Sequence, residues 1–346
     1  MLVSEVMSFR EQIRINGLAI GVSQPVFIVA EAGLAHFGKL EKAFELVDLA
    51  VKAGADAVKF QIFRTDELIS PESIEWRDRL RPKELPLKAF SQIKDYCESK
   101  NIIFFATAHD EYSLQFLDLL NPPMYKVGSG ELQNWNFIKD IALRRKPVIV
   151  STGMYGFEDV QQVVNIFKEA NNPSLMLLHC VTAYPTQPAD VNLMAIAWMR
   201  DTFGVITGYS DHTRGIHFPV AAVALGAKII EKHIALDFNV PNAQDWKVAC
   251  NRRSLTQLVR QIRDIEAGIG NGQKRAQISE SGSVSWARKS IVSKTSILPG
   301  QLITVSMLQF QRPGTGIAPC DIGQVIGRRA KIQINPGTVI RESMLR

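Results

Sequence analysis

The stretch VFIVAEAGLAHFGKLEKAFELVDLAVKAGADAVKFQ, residues 26–61, contains two apolar runs joined by an amphipathic segment. The runs at 26–31 and 56–61 are short and apolar, as buried strands are, whereas the apolar residues of 40–53 recur with the spacing of a helix. A strand, a helix and a second strand in this order form a unit with two parallel strands. The stretch therefore predicts the repeating unit of an α/β fold.

The same alternation continues through the first 270 residues. Six further strand-like runs lie between helical stretches, at 102–107, 124–127, 147–151, 175–180, 204–210 and 228–233. Parallel strands joined by helices form a doubly wound sheet or a (β/α)₈ barrel, and eight evenly spaced units favour the barrel. The sequence lacks GxGxxG after the first strand and GxxxxGK[ST] anywhere, the phosphate turns typical of dinucleotide-binding and P-loop folds. Ahead of the barrel, Asn16-Gly17 within IRINGLAIG (13–21) predicts a hairpin at the barrel floor.

The alternation ends at GIGNGQKRAQISESGSVSW, residues 268–286, which is rich in glycine and serine as linkers are. Beyond it, short runs such as SIVSK and QLITV are separated by Pro-Gly turns. We therefore expect a barrel domain over 1–267 that includes the hairpin, a linker over 268–286, and a small all-β domain over 287–346. A domain of this size is near the lower limit for independent stability, so it is expected to lean on a partner surface.

Composition narrows the classes of protein. Apolar residues make up 46% of the chain and charged residues 21%, which excludes a largely disordered protein. No run approaches the roughly 18 apolar residues of a membrane span, and Glu5 interrupts the N-terminal stretch MLVSEVMSFREQIR before a signal-peptide core could form. The four cysteines are widely separated, a pattern typical of reduced thiols. We expect a cytoplasmic protein with no membrane partner.

The positive charge lies mostly in the C-terminal segment. Residues 287–346 hold nine basic and two acidic side chains, a net charge of +7, whereas the rest of the chain holds 31 basic and 32 acidic side chains, a net charge of −1. A solvated basic surface and a module that meets an anion are both consistent with this imbalance. Nucleic acid is not expected, because Phe310 is the segment's one aromatic residue and its longest basic run is Arg328-Arg329.

Polar residues end or follow the strand-like runs, and in a barrel such positions meet at one end, where the active site lies. The candidates for chemistry there are Glu31, Lys59, Gln61, Thr107, Lys126, Ser129, Ser151, Thr182, Tyr184, Ser210, His212, Glu231 and His233. Taken singly, each could be a strand-end polar group bonded to nearby backbone. Lysines inside apolar strands are harder to explain in that way, because a buried ammonium group needs an anion. Lys59 and Lys126, with the neighbouring hydroxyl groups, therefore predict a cradle for a small phosphate or carboxylate.

His212 and His233 follow neighbouring strands of the predicted barrel. Two imidazoles there could hold a divalent metal with open positions for water and substrate, or they could be hydrogen-bonded core histidines. Glu31 and Glu231 are candidates for acid–base chemistry. His109, His179 and His217 are assigned structural roles.

Several segments resemble the sialic acid synthases and their nonulosonate relatives. They are residues 29–61 of the opening stretch, YKVGSGE (125–131), STGM (151–154), HCVTAYPT (179–186), GYSDHT (208–213) and EKH (231–233). Near the C-terminus, QRPGTG (311–316) resembles the antifreeze-like SAF domain that follows the barrel in these enzymes. The similar segments span nearly the whole chain in the family's order.

The resemblance implies an enzyme that joins phosphoenolpyruvate to an N-acyl amino sugar such as N-acetylmannosamine, giving a nine-carbon α-keto acid and phosphate. It implies catalytic roles for Glu31, Glu231 and His233, and a manganese site at His212 and His233, with magnesium or cobalt as alternatives. It implies the following phosphoenolpyruvate-binding residues: Lys59, Thr107, Lys126, Ser129, Ser151 and Ser210. It implies the following sugar-binding residues: Gln61, Thr182, Tyr184, Asp245 and Arg312. Arg312 would reach the partner subunit's site in a domain-swapped homodimer.

Three loops depart from the family pattern. Ala35 precedes His36 where the family has asparagine, Thr182 stands where some members have asparagine, and PNAQD (241–245) replaces PGPD. All three would face the acceptor sugar, so N-acetylneuraminate, legionaminate, pseudaminate and spore-coat-polysaccharide synthases stay open. A non-catalytic sugar- or ice-binding protein built around the C-terminal module is a further alternative. The full set of strand-end lysines and histidines argues against it, because binding alone does not require them.

Overall fold

A computed structural model describes residues 7–241 and 243–346. The start of the N-terminal stretch, residues 1–6, and Asn242 of the PNAQD segment lie outside the described residues. Contacts divide the chain into two units, one ending at Gly270 and the other comprising Asn271–Arg346. None of the helices in the described ranges is long and apolar enough to cross a membrane.

The first two strands, β1 (Gln12–Ile15) and β2 (Leu18–Gly21), form an antiparallel hairpin. Its turn residues Asn16 and Gly17 have φ values of 45° and 87°. Two successive positive φ values define the turn whose twist matches that of paired strands, and Asn-Gly adopts it most readily. The hairpin is where the sequence predicts it.

Eight parallel strands then close into a barrel, which confirms the predicted fold. They are β3 (Phe27–Gly33), β4 (Ala57–Ile62), β5 (Ile103–Ala108), β6 (Tyr125–Val127), β7 (Val148–Ser151), β8 (Leu175–His179), β9 (Ile206–Asp211) and β10 (Ile229–His233). Each strand pairs with the next, and β10 pairs with β3 to complete the ring.

Helices lie between the strands and after the last one. In this unit they are α1 (Leu40–Ala53), α2 (Thr65–Leu68), α3 (Ile74–Leu80), α4 (Leu87–Ser99), α5 (Glu111–Leu119), α6 (Trp135–Leu143), α7 (Phe157–Glu169), α8 (Met194–Phe203), α9 (His217–Ala224) and α10 (Arg252–Gly268). Their apolar faces pack on the outside of the barrel in one large buried cluster. The connection between β4 and α4 is the long one, because it carries both α2 and α3.

The barrel interior has apolar lower layers. Alternate strand residues point inward, and those nearest the strand starts form a buried cluster that includes Phe27, Ile103 and Ile229. Ile13 and Ile20 of the hairpin belong to the same cluster and close the barrel floor. The next inward positions along the strands are polar, so the chemistry is confined to the carboxyl ends of the strands.

The second unit is small and mostly irregular. It contains α11 (Ser281–Ala287), β11 (Ser290–Ser293) and β12 (Leu308–Gln311), and the two strands pair antiparallel. Isolated antiparallel bridges tie the remaining turns together, and a compact core of isoleucines that includes Ile291, Ile303 and Ile340 lies between them. Because α11 begins at Ser281, the end of the stretch expected to be a linker, residues 268–286, is helical.

Candidate active site

A cavity of about 150 Å³ lies at the carboxyl ends of the barrel strands. Among the residues that line it are Glu31, Lys59, Gln61, Thr107, Lys126, Ser129, Ser151, Thr182, Tyr184, Ser210, His212, Glu231 and His233. The structure thus brings together all the site residues predicted from the sequence except Asp245 and Arg312. Most of them continue the inward-facing series of their strands: Lys59 follows Ala57 and Glu231 follows Ile229, each two residues further on.

Two buried lysines face two buried carboxylates in this cavity. Lys59 Nζ lies 2.9 Å from Glu31 Oε2 and 3.7 Å from Glu231 Oε2. Lys126 Nζ lies 3.7 Å from Glu231 Oε1 and donates a hydrogen bond to Ser151 Oγ at 2.6 Å. All four ionisable side chains are at most 6% exposed. The sequence predicts that a bound phosphate or carboxylate neutralises these lysines. In this structure the carboxylates of Glu31 and Glu231 balance their charges.

Burial and charge act in opposite directions on these groups. Burial alone would raise the pKa of Glu231, but the ammonium groups of Lys126 and Lys59 hold that pKa well below its usual range. Burial alone would lower the pKa of Lys59, but the carboxylates of Glu231 and Glu31 raise it. For Lys126, burial prevails and its pKa is lowered. Of the two lysines, Lys126 is thus the less completely compensated cation.

Hydroxyl groups complete this inner wall. Thr107 Oγ1 accepts a hydrogen bond from Lys59 Nζ at 3.3 Å, and Ser210 Oγ donates one to Glu231 Oε1 at 2.9 Å. Ser129 Oγ accepts the backbone N–H of Gly153 at 3.0 Å and lies 3.2 Å from the thiol sulfur of Cys180. Short hydroxyl side chains beside buried ammonium groups are suited to binding the oxygens of a small anion.

A β-bulge aims Glu31 into the cavity. The register between β3 and β4 shifts between Glu31 and Gly33, where φ is +49°. A β-carbon at Gly33 would lie 3.2 Å from Glu31 Oε1, so a larger residue would strain the backbone and crowd the carboxylate. Gln61 Nε2 donates a hydrogen bond to the same oxygen at 3.0 Å. The carboxylate is therefore oriented from two sides.

The two predicted metal ligands lie side by side. The ring centroids of His212 and His233 are 5.4 Å apart, and Tyr184 packs against both rings. His212 Nδ1 donates to the carbonyl oxygen of Val181 at 2.6 Å, and Tyr184 Oη donates to His212 Nε2 at 3.0 Å. Burial and the neighbouring imidazole lower the pKa of His212 to about 4, so its ring is neutral.

This arrangement fits a divalent metal, because a backbone bond at one ring nitrogen orients the other as a ligand. Among residues 7–241 and 243–346, no three His, Cys, Asp or Glu side chains gather closely enough to hold an ion. The chain would therefore supply two imidazoles, with the other positions open to water and substrate, as in catalytic sites.

A buried ion pair supports the loop that carries His212. Lys232 Nζ donates to the Asp211 carboxylate and, at 2.8 Å, to the carbonyl oxygen of Thr213. The same carboxylate accepts the Tyr209 hydroxyl and the Thr213 N–H. Lys232 and Asp211 are fully buried and neither lines the cavity. Lys232 is thus a structural lysine one residue from the inward-facing Glu231.

A second cavity of about 290 Å³ adjoins the first and shares Gln61, Tyr184 and His233 with it. Asp245 lies here, on the segment whose sequence departs from the family. The wall also contains residues that the sequence analysis does not single out: Trp76, Arg79, Leu80, Lys83 and Trp246. The first three belong to α3, whose place beside the strand ends depends on the tertiary fold and leaves no local sequence signal. The one feature of the sequence that could have indicated this wall is the length of the connection between β4 and α4.

Two more residues complete the comparison with the sequence. His109, which the sequence alone assigns a structural role, lines the inner cavity. It continues the inward series Ile103, Phe105 and Thr107 of β5, a signal that could have identified it. Arg312 belongs to the second unit, where its guanidinium is exposed and its central carbon lies 5.7 Å from the Trp286 ring centroid.

Comparisons with known proteins identify the family of this chain. The chain matches the NeuB family over residues 46–274 and the SAF domain over residues 288–346. It is 36% identical to N,N'-diacetyllegionaminic acid synthase of Legionella pneumophila, covering 94% of this chain and 97% of that protein. It is 34% identical to pseudaminic acid synthase of Campylobacter jejuni, covering 93% and 97%.

Among solved structures, N-acetylneuraminic acid synthetase from Leptospira borgpetersenii superposes with a TM-score of 0.74 at 35% identity. The match covers 80% of this chain and 96% of that chain. The similar proteins thus include synthases named for three different sugars, in agreement with the resemblance found in the sequence. The chain belongs to the NeuB family, the phosphoenolpyruvate-dependent nonulosonic acid synthases, and carries a C-terminal SAF domain.

Proposed function

We propose that this enzyme condenses phosphoenolpyruvate with an open-chain N-acyl amino sugar, either N-acetylmannosamine or a diacetamido deoxy analogue, to give a nine-carbon α-keto acid and phosphate. The observation that carries the proposal is the pair of buried lysines, Lys59 and Lys126, which face Glu31 and Glu231 in one cavity that the imidazoles of His212 and His233 also line. A phosphate ester that also bears a carboxylate suits such a site, because its charge can pair with both ammonium groups.

In this proposal, phosphoenolpyruvate binds in the inner cavity. Its negative charges pair with Lys59 and Lys126, and its oxygens accept hydrogen bonds from the hydroxyl groups of Thr107, Ser129, Ser151 and Ser210. Each lysine exchanges a carboxylate partner for the substrate, which frees Glu31 and Glu231 for proton transfer. Because these groups are held by strand ends of a closed barrel, little reorganisation accompanies the reaction.

His212 and His233 would hold the metal, for which we propose Mn²⁺, with Mg²⁺ or Co²⁺ as alternatives. When bound, the ion supplies a Lewis acid next to the sugar aldehyde. The chain's own contribution is to hold both imidazoles against Tyr184 and to keep the ring of His212 neutral. The Val181 carbonyl fixes the proton of His212 on Nδ1. The lone pair of Nε2, which accepts the Tyr184 hydroxyl in this structure, would then bind the ion in place of that hydroxyl.

The reaction forms a bond between C3 of phosphoenolpyruvate and the aldehyde carbon. Electron density moves from the enol ester to the aldehyde oxygen, and positive charge develops at C2. Water adds at C2 and gives a proton to a carboxylate, Glu31 or Glu231, which passes that proton to the aldehyde oxygen. The bond between C2 and the phosphate oxygen then breaks, the hydroxyl proton leaves with phosphate, and the carbonyl of the keto acid remains.

The acceptor sugar occupies the outer cavity. Hydrogen bonds to its hydroxyl and amide groups come from Gln61 and Tyr184, which line both cavities, from Asp245 of the outer cavity and from Thr182 of the inner one. Trp76, Leu80 and Trp246 offer apolar surface for N-acyl methyl groups.

We further propose a domain-swapped homodimer in the cytoplasm, built from a barrel domain over 1–267, a linker over 268–286 and a SAF domain over 287–346. The +7 charge of the C-terminal segment and the exposed Arg312 support a role for that domain beside an anionic substrate. Cys97, Cys180 and Cys250 are buried free thiols, in keeping with a reducing compartment.

The decisive experiment measures phosphate release from phosphoenolpyruvate with Mn²⁺ and a panel of acceptors: N-acetylmannosamine, its 6-phosphate, and 2,4-diacetamido trideoxy hexoses. One acceptor should give stoichiometric phosphate and a keto acid of matching mass. Glu31→Gln, which keeps the side chain's size, should abolish turnover, whereas exposed Glu11→Gln should not. The proposal would be overturned if the enzyme released no phosphate with any acceptor and bound none of the acceptors in the presence of phosphoenolpyruvate.

A further inference from the structure

His109 has an unused polar ring in the inner cavity. It follows β5, where its backbone N–H donates to the carbonyl oxygen of Ile62 at 3.0 Å. Its Cε1 lies 3.6 Å from the point where a β-carbon on Gly128 would stand, so the ring reaches the loop that carries Ser129. Within the described chain, no hydrogen bond occupies either of its ring nitrogens.

The charge of the cavity gives this ring a role. Lys59 and Lys126 are balanced by Glu31 and Glu231 before any substrate enters. Phosphoenolpyruvate is a trianion above neutral pH, so its entry leaves the cavity with excess negative charge. His109 faces the same lysines and is a neutral group that can become cationic in response.

On the basis of the proposed function, we infer that His109 binds the phosphate group of phosphoenolpyruvate and takes up a proton when the substrate enters. In the empty cavity, burial and the charges of Lys59 and Lys126 lower the pKa of His109 to about 4. One negative charge about 4 Å away raises the pKa of an imidazole by about three at an effective dielectric constant of about 20. A dianionic phosphate therefore suffices to keep the ring protonated near pH 7.5.

Other titratable groups around His109 respond differently. The neighbouring carboxylate of Asp110 already accepts the N–H groups of Arg64 and Ser113 and the Ser113 hydroxyl. Burial raises the pKa of the Cys180 thiol, which stays protonated throughout. Lys126 is the competing source of proton uptake, because burial lowers its pKa in the empty site. The remaining titratable groups of the cavity are Lys59, Glu31, Glu231, Tyr184 and the imidazoles of His212 and His233.

The test is calorimetric titration of the Mn²⁺-loaded enzyme with phosphoenolpyruvate at pH 7.5, in buffers of different ionisation enthalpy, which counts protons taken up. The wild type should take up protons on binding. His109→Asn should abolish that uptake and weaken phosphoenolpyruvate binding about 10- to 100-fold, the range for a lost charge-assisted hydrogen bond. His109→Gln, whose longer side chain places its neutral amide donor about as far out as the ring's Nε2, should bind with intermediate affinity and no uptake. His217→Asn, outside the cavity, should match the wild type.

Inorganic phosphate is the second probe, because it lacks the carboxylate. Its affinity should fall in His109→Asn by a similar factor; an unchanged phosphate affinity would refute the assignment to the phosphate end. If proton uptake persisted in His109→Asn, the proton would be assigned to Lys126 and the inference would be wrong. Binding of phosphoenolpyruvate to the wild type without proton uptake would also overturn the inference. Failure of wild-type enzyme to bind phosphoenolpyruvate would instead count against the proposed function. Melting temperatures identify a variant that does not fold, and His109→Gln then carries the test.

Discussion

Replacing Lys126 by methionine separates binding from stability. The side chain is 3% exposed, and its ammonium group contacts Ser151 and faces Glu231 at 3.7 Å. Methionine has a similar length and no charge, so the substitution removes the cation with little change in packing. We expect phosphoenolpyruvate affinity to fall at least about 10- to 100-fold, the range for a charge-assisted hydrogen bond.

The effect on stability follows from opposing contributions. Burial lowers the pKa of Lys126 from 10.5, so the folded protein disfavours its protonated form, and at any pH below that value the charge reduces stability. That net lowering already includes the attraction of Glu231, which is about 4.5 kcal/mol for charges 3.7 Å apart at an effective dielectric constant of about 20. Glu231 keeps Lys59 and the Ser210 hydroxyl in the variant. The net change in unfolding free energy should be below about 2 kcal/mol.

Lys232→Met is the matched comparison, because Lys232 is equally buried but lies outside the cavity and forms an ion pair with Asp211. Breaking that pair should reduce stability by about 3–5 kcal/mol. Chemical denaturation measures both stabilities, and calorimetric titration measures phosphoenolpyruvate affinity. If Lys126→Met lost as much stability as Lys232→Met while binding phosphoenolpyruvate normally, Lys126 would be a structural ion-pair member and the reasoning would be wrong.

Three further predictions concern the metal, the SAF domain and acid stability. Chelation should abolish phosphate release and Mn²⁺ should restore it, and His233→Ala should lose Mn²⁺ binding, measured by electron paramagnetic resonance, without unfolding; full activity of metal-free enzyme would contradict this. Mixing inactive Arg312→Ala and Lys126→Met chains should regain activity if the site is shared between subunits, whereas continued inactivity after verified subunit exchange would refute sharing. Burial lowers the pKa of His36 to about 4, so the unfolded chain binds the extra proton and stability should fall by up to about 3 kcal/mol as pH drops from about 6.5 to 4. His36→Asn keeps an acceptor for the Gly38 N–H, so the variant should lose less unfolding free energy than the wild type between pH 7 and pH 4.5, as measured by chemical denaturation. The same loss in both proteins would exclude His36 as the cause.

The barrel is predictable because its strands are buried on both faces. Such strands appear in a sequence as short apolar runs, and all eight runs named from the sequence correspond to barrel strands. The hairpin is predictable because Asn-Gly favours one turn. In contrast, the helical part of the linker, α11, is a short segment in which serine and glycine, residues with little intrinsic preference for a helix, outnumber the others.

The inner site is predictable for the same reason as the barrel. Period-two alternation carries the inward face from apolar residues at the strand starts to Lys59, Lys126 and Glu231 at the strand ends. It also distinguishes Lys126 from Lys232, which occupies an outward position. The outer wall was not predictable, because Trp76 and Arg79 lie on α3, within an irregular connection whose path no repeating pattern specifies.

The floor hairpin also sets a limit for protein engineering. Ile13 and Ile20 cover apolar residues such as Phe27 and Ile206, so a truncation that removed Gln12–Gly21 would expose the bottom of the barrel to water. Exposed apolar surface of this kind promotes aggregation. Expression variants with N-terminal tags should therefore retain both strands of the hairpin, and loss of soluble protein after its deletion would reflect an uncovered core and not a damaged active site.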